Sequence, residues 1–416
     1  GRADGLEVAL HLFCVGTIAD MAPLVGVNRR WLMDGLPRLA ATGLTGLQAL
    51  QQVAGLEQVS MDAGSVGFQL APRINAVGRL GDPLVVVELL TTDDPERALE
   101  LARHCEGLNR QRRELCQAIE AEALALLEAD DIAPTRFLLL AQNHWHHGVI
   151  GIVASRLVER FGRPVALLAG EGDGRLRASV RAPRGFAVDQ ALNAWGDLLE
   201  RHGGHAAAGG FTVRASVLAQ LHERLDALAR SWLGPEDTGG LPVEPEAQLR
   251  LDRIDRDFWN QLCRLEPFGI GHPMPLFWTR GCRILEQKLM RGGHLRLRLA
   301  QDGTERQAVA WRWHGPPQLK GEVDVAFHLR LDRWQGRERL QMDLAGLRPT
   351  SGDEVILRRS GRTYWCGRRG EDLVIRNDAG EEMRSPLRHS DGSTSALHPY
   401  VRSLLWEARM ALGMAI

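Results

Sequence analysis

From Pro95 to Ala129 apolar residues return at three- and four-residue steps or their sum: Ala98, Leu101, Cys105, Leu108, Leu115, Ile119 and Leu126. That spacing is the stripe of one long amphipathic helix. Asp94-Pro95 supplies its start, a capping carboxylate followed by proline in the first helical position. At 1.5 Å per residue the helix spans roughly 50 Å, enough to join two domains. Arg112 and Glu122 interrupt the seam, and Asn109-Arg110-Gln111-Arg112-Arg113 reads either as a phosphate-facing patch or as a solvated face. A chain of 416 residues built around such a rod divides into two to four domains.

Before the rod, residues 1–80 read as mixed helix and strand, and Phe68 to Leu80 as a Gly- and Pro-broken loop carrying Arg73, Asn75 and Arg79. A second Asp-Pro pair, Asp82-Pro83, opens a short helix. After the rod, residues 131–233 alternate strand and helix. Strands are predicted at Phe137–Ala141, Pro164–Ala169, Leu176–Arg181 and Gly210–Val213, and helices at Val149–Phe161, Val188–Glu200 and Ser216–Trp232. Residues 234–240 are a linker rich in Gly, Pro and acids. Five or so short strands follow near 280–348, entered through a helix at 256–265, which suggests a small β-barrel. Residues 351–416 form another small unit, with three strands and a terminal helix from about Pro399.

The net charge is -1, so any nucleic-acid site must be local rather than a global basic field. Of the 51 basic residues only Lys288 and Lys320 are lysine, and arginine offers planar forks suited to phosphate. No two of the six cysteines stand at CxxC spacing, the pattern of reduced thiols in a cytosolic protein. No apolar run reaches membrane-spanning length.

Five groups of residues carry candidate chemistry. Asp20 closes Gly16-Thr17-Ile18-Ala19-Asp20, where a carboxylate is either a cap or an oxygen ligand for a hard divalent cation. Arg73 and Arg79 bracket a glycine-containing segment that reads equally as a phosphate grip or as a salt-bridged connection. His144-Trp145-His146-His147-Gly148 lacks the carboxylate or cysteine partners of a metal site, so an anion site or a structural helix start fits it better. Ser179 and Arg181 at a strand end, with Gly203-Gly204-His205, make a phosphate-handling set in which the glycines let a ligand approach the backbone. Arg296 and Arg298 on one barrel strand, with Trp311 and Trp313 on a neighbouring one, are either a single-strand groove or an ordinary polar face.

Taken in order, the stretches Gly16–Asp20, Ala71–Leu80, His144–Leu157, Gly203–His205 and Leu265–Phe277 resemble RecJ, the 5′ to 3′ single-strand exonucleases of the DHH phosphoesterase superfamily. The resemblance covers about residues 5–348. It implies a multidomain α/β plus β fold: a partial DHH α/β domain at 1–81 and connecting helices at 82–130. An α/β DHH-associated domain at 131–233, an oligonucleotide-binding (OB) barrel at 243–350 and an extension at 351–416 would follow. It implies a two-metal Mn²⁺ or Mg²⁺ centre with Asp20 as one catalytic ligand. Arg73, Asn75, Ser179, Arg181, Gly203, Gly204 and His205 would hold a DNA strand and its 5′ phosphate. Single-strand-binding protein or a helicase, a monomeric state, the cytoplasm, and a role in repair and recombination come with the family.

Two departures qualify that implication. The family's Gly-Ser-x-Arg-Ser is Ala178-Ser179-Val180-Arg181-Ala182 here, and no Asp-His-His occurs. The Asp-rich and Asp-His-His motifs of the family precede the stretch that begins at Gly1, so the chain alone is expected to bind DNA ends with little or no nuclease activity. The alternatives are a catalytically dead single-strand-binding paralogue or fragment, and a phosphodiesterase of short oligonucleotides or cyclic dinucleotides. The barrel disfavours the last. Half a phosphoesterase sheet is also expected to expose strand edges.

Overall fold

The computed structural model describes residues 2–56, 61–129, 135–233, 243–313, 315, 319, 321–334, 337–350, 354–359, 362–369, 372–386 and 398–412. The chain forms two compact units, residues 1–242 with 267–273, and residues 243–266 with 274–416.

The first unit opens with helices α1 (Arg2–Ala19), α2 (Gly26–Leu39), α3 (Thr45–Ala54), a short α4 (Ala63–Ser65), a π-turn over Val66–Leu70, α5 (Ala71–Leu80) and α6 (Leu84–Thr91). Among the described residues before Pro95 there is no strand, so the mixed reading of residues 1–80 is corrected to helix. Phe68–Leu80 is helical rather than a loop. Pro72 occupies the first turn of α5, where its missing N–H costs nothing, and the exposed Gly78 is tolerated within the helix. No half-sheet edge is therefore presented by this segment.

The rod is α7 (Pro95–Ala129), with the predicted bounds. Its N-terminal half, through Ala98, Leu101, Ala102 and Cys105, closes the helical core with Leu32, Leu47, Leu50 and Leu70. Its C-terminal half, through Cys116, Ile119 and Ala123, belongs to a second core. There β1 (Leu138–Gln142), α8 (His147–Phe161), β2 (Val165–Gly172), β3 (Arg175–Arg181), α9 (Val188–Ala194), β4 (Arg201–His205), β5 (Ala208–Arg214) and α10 (Leu218–Trp232) build a five-stranded sheet in the order β1-β2-β3-β5-β4. β1 and β2 are parallel and the other pairs antiparallel. Gly203-Gly204-His205, expected between elements, lies within β4.

Asp226 of α10 fastens β1. Its Oδ1 accepts from the backbone N–H of Arg136 and of Phe137, the latter at 3.0 Å, and Oδ2 accepts from Arg230 at 2.8 Å. Burial pushes its carboxyl up, but the two N–H donors and Arg230 outweigh it and hold the group below its ordinary value. A depressed carboxyl stabilises the fold above its unfolded pKa, and that stability disappears as pH falls through the folded value. Asp226→Asn should therefore lower stability near pH 7 by about 1–3 kcal/mol. The gap to the parent should close below about pH 4, measured as melting temperature against pH. A constant gap down to pH 3 would contradict this.

The second unit contains β6 (Ala247–Gln248), α11 (Arg256–Cys263), β7 (Phe277–Met290), β8 (His294–Gln301), β9 (Thr304–Ala310), β10 (Glu322–Trp334) and β11 (Arg337–Pro349). The order β7-β8-β9-β11-β10 closes through the β10–β7 pair into a five-stranded barrel, the OB arrangement, with β9 and β11 parallel. The alternation Leu295, Leu297, Leu299 points inward and Arg296 and Arg298 outward. β12 (Glu354–Arg359), β13 (Arg362–Arg369), β14 (Asp372–Asn377) and β15 (Glu382–Pro386) form an antiparallel meander. α12 (Pro399–Leu412) lays Leu404, Leu405, Ala408 and Leu412 against Tyr364, Cys366, Leu373 and Ile375 of the meander. β15 is a fourth strand where the sequence pattern shows three.

Residues 267–273 fold with the first unit. Gly269 and His272 exchange backbone hydrogen bonds of 2.9 and 3.1 Å. Leu24 N–H donates to Ile270 O at 2.6 Å, and Arg29 donates to Pro267 O at 2.8 Å. A side chain at Gly269 would strike Leu24, its Cβ falling 2.5 Å from Leu24 Cδ1.

Candidate nucleic-acid site on the open half of the sheet

Three cross-strand rows run from β3 through β5 to β4: Arg177–Thr212–Arg201, Ser179–Gly210–Gly203 and Arg181–Ala208–His205. Side chains alternate along a strand, so these rows share one face. The intervening Leu176, Ala178 and Val180 are buried on the other, against Val188 and Leu192 of α9 and Leu221 and Leu225 of α10. On the rows' own face β2 carries Val165, Leu167 and Ala169, which pack under α8 with Val149, Val153 and Leu157. α8 thus covers β2 and β3 on this face and leaves β5 and β4 open. Small residues, Ala208, Gly210 and Gly203, form the floor between cationic walls.

The resulting groove has a volume of about 600 Å³, and Arg79, His147, Gly148, Arg177, Ser179, Arg201 and Thr212 line it. Two glycines bring α8 close. A Cβ at Gly151 would sit 3.0 Å from Arg181 Nη2 and 3.2 Å from Ser179 Oγ, and one at Gly148 would sit 2.4 Å from the Arg79 carbonyl. Arg79 in turn donates to Gly148 O at 3.2 Å. Arg181 donates to Val180 O at 2.8 Å, and among the described residues neither Arg79 nor Arg181 has a carboxylate partner. Burial first, and the charge of Arg79 second, push the Arg181 guanidinium below its usual pKa. A half-buried, unneutralised arginine beside a second one is a seat for an anion.

The residues singled out from the sequence are only partly gathered here. Ser179, Arg181, Gly203 and His205 lie on the rows. Gly204, at φ +155°, has no room for a side chain, because a Cβ would come within 2.4 Å of Ala208 O and Gly209 Cα. Arg73 is engaged by Glu106 at 2.7 Å and donates to Gln69 O, while Arg79 reaches the groove. Asn75 donates to Ala19 O at 3.0 Å and ties α5 to the end of α1. Asp20, the next residue, is exposed. Among the described residues no group of three or more His, Cys, Asp or Glu side chains is placed to hold a metal ion. One exposed carboxylate does not fit a two-metal centre.

The histidine run divides as a structural helix start. His144 and the Trp145 indole both bond Glu122, at 2.9 and 2.8 Å, and His146 Nδ1 accepts the Gly148 N–H at 3.0 Å as the cap of α8. His147 bonds Gly170 O at 3.0 Å. Arg177 and Arg201 join the groove although no motif in the sequence pointed to them, while the His202 ring turns to the other face and bonds Asn193 Oδ1 of α9 at 3.1 Å. The period-two string Arg177, Ser179, Arg181 was the available signal for the first of these.

On the barrel, Arg296 and Arg298 flank a small depression with Glu286 and Gln307. Arg298 is paired with Glu305 at 3.2 Å and Glu286 at 3.6 Å. Trp311 and Trp313 are not on a strand. The chain turns after Ala310, with Arg312 at φ +50°, and Trp313 N–H donates to Gly293 O. Trp311 remains 46% exposed, edge-on to His294 at 5.0 Å.

Comparison with known proteins places both domains in one class. Residues 135–231 match the DHHA1 domain and residues 246–346 the RecJ OB domain. The single-stranded-DNA-specific exonuclease RecJ of Salmonella typhimurium is 33% identical over 359 residues, covering 83% of this chain and 62% of its own length. That of Thermus thermophilus is 36% identical over 349 residues, covering 84% of this chain and 49% of its own length. The crystal structure of Thermus thermophilus RecJ in complex with Mn²⁺ superposes with a TM-score of 0.70 at 34% identity, over 83% of this chain and 50% of that one. A complex with Mg²⁺ superposes equally, at 0.70. The chain belongs to the RecJ family, and it spans 62% or less of the length of these relatives.

Proposed function

We propose that this chain is the strand-gripping part of a single-stranded-DNA-specific 5′ to 3′ exonuclease of repair and recombination. The unneutralised Arg79–Arg181 pair beside Ser179, above a glycine-floored sheet, carries this reading. Arg181 and Ser179 hold the terminal 5′ phosphate, and Arg177 and Arg201 attract the strand. The OB barrel offers Arg296 and Trp311 to single strands on its own surface. Arg73, by contrast, keeps α5 on α7, and Asn75 keeps α5 on α1. Gly203 and Gly204 keep the floor low, and His205 stands at its rim.

The metal chemistry belongs to ligands additional to Asp20, which complete a Mn²⁺ or Mg²⁺ centre. Without them the chain binds and does not cleave. It acts as a monomer in the cytoplasm, where its six cysteines stay as reduced thiols, and it passes strands to or from single-strand-binding protein or a helicase.

Fluorescence anisotropy with single-stranded and duplex oligonucleotides tests the reading. Single strands should bind at least tenfold tighter, with affinity falling steeply with salt. Equal affinity for blunt duplex would overturn the strand preference. Manganese-dependent release of nucleotides by the pure chain would overturn the claim that it is inactive alone.

A further inference from the structure

The buried seam of α7 changes character midway. Cys105 belongs to the helical core and Cys116 to the sheet core. Between them the positions that complete the same face are Asn109 and Arg112. Asn109 is 1% exposed and its Oδ1 has no partner, and Arg112 Nε is out of contact with solvent and also has none. Among the described residues no carboxylate pairs with Arg112. The nearby acids are occupied: Glu106 holds Arg73 at 2.7 Å and Arg113 at 3.1 Å, and Glu120 holds Arg156 at 2.6 Å. Burial above all pushes its guanidinium down, and the charges of Arg113, Arg156 and Arg79 add to this against an opposing contribution from Cys116.

An uncompensated arginine in a helix seam is costly, and an apolar residue would continue the stripe at less expense to stability. Its retention fits an anion that arrives from outside. Arg79 is the shared neighbour: it acts electrostatically on Arg181 at the groove and on Arg112 on α7. Arg79, which lines the groove, is thus the charge common to both arginines. An open donor at Arg112 and an open acceptor at Asn109, one turn apart, leave the guanidinium's orientation unfixed until its outer edge is engaged.

We propose that Arg112, steadied by Asn109, forms a second anion subsite that takes an internal phosphodiester of the strand whose terminal phosphate sits at Arg181. The proposal rests on the single-strand reading of the groove. It explains why the Asn109–Arg113 patch is polar on its buried side and not only on its solvated one.

The test compares Arg112→Met with Arg110→Met, an exposed neighbour, in the full chain. The probes are a 5′-phosphorylated and a 5′-hydroxyl thymidine oligomer. Arg112→Met should bind both about tenfold more weakly. Its slope of log affinity against log salt should be shallower by about 0.7, one phosphate contact on a single strand. Its melting temperature should equal or exceed the parent's, which no structural role for Arg112 would produce. Arg110→Met should change little.

Unchanged affinity and slope in Arg112→Met, while Arg181→Ala still weakens binding, would overturn this subsite alone. A loss seen only with the 5′-phosphorylated oligomer would move Arg112 to the terminal phosphate and overturn the internal assignment. If Arg112→Met melts lower, Arg112→Lys decides: a retained salt slope supports the contact, and a lost slope with lowered melting makes Arg112 structural. A parent that binds no single strand overturns both readings.

Discussion

Arg181→Ala will weaken binding of a 5′-phosphorylated single strand by about 10- to 100-fold, the scale of losing a charge-assisted hydrogen-bonding group of about 1.5–3 kcal/mol. The slope of log affinity against log salt will become shallower by about 0.7. Arg181 is half-buried, bonded among the described residues to its own strand's Val180 carbonyl, and pressed by α8 where Gly151 leaves room. It has little alternative partner to satisfy, so its truncation removes a ligand contact more than a structural one. The fold should survive, with a melting temperature close to the parent's, because a half-buried, unneutralised charge is being removed. A titration series between low and moderate salt measures both quantities. An unchanged slope would count against a phosphate role for Arg181, whatever happened to affinity at one salt concentration.

Gly148→Ala will do the opposite, damaging stability and site together. The added Cβ would stand 2.4 Å from the Arg79 carbonyl, and backbone cannot swing aside as a long side chain can. The first turn of α8 must lift from α5, at a cost of about 1–3 kcal/mol. Arg79 loses its bond to Gly148 O in the same movement, so affinity for single strands should fall more than the stability loss alone accounts for. Gly107→Ala is the control. It lies in α7 with open space around it, and there alanine should stabilise by about 0.5–1 kcal/mol and leave binding alone. Urea unfolding monitored by circular dichroism, with anisotropy on the same samples, reads both. A Gly148→Ala protein as stable as the parent would mean that the α5–α8 contact is looser than the geometry states.

Sequence periodicity revealed much of the second core because its residues obey simple rules. α7 has a clean stripe over 35 residues, and β3 alternates without a break from Arg175 to Arg181. It failed where tertiary pairing overrides local preference. Arg-His-Gly-Gly-His has no apolar alternation and every residue of it is exposed, yet it is a strand because β5 pairs along it. Residues 68–80 carry proline and glycine, which suggested a loop, but Pro72 falls where a helix accepts it.

The site was legible to the same degree. Ser179 and Arg181 announce themselves on one strand face. Arg73 and Arg79 stand six residues apart on one helix and point in different directions, and only the packing of α8 against α5 decides which of them reaches the groove. That contact joins residues 69 apart in the chain, and no local pattern encodes it.

The turn at Pro267–Pro273 makes the first unit discontinuous: the polypeptide leaves it at Pro242 and returns for seven residues before departing again. A cut anywhere between Leu233 and Val243 would therefore not yield a self-sufficient amino-terminal module. That fragment would lack the carbonyl that accepts the Leu24 N–H and the one that receives Arg29. Loss or gain of the barrel by gene rearrangement at that apparent seam would carry the same penalty, so inheritance should keep the two together even where their activities could be exercised apart.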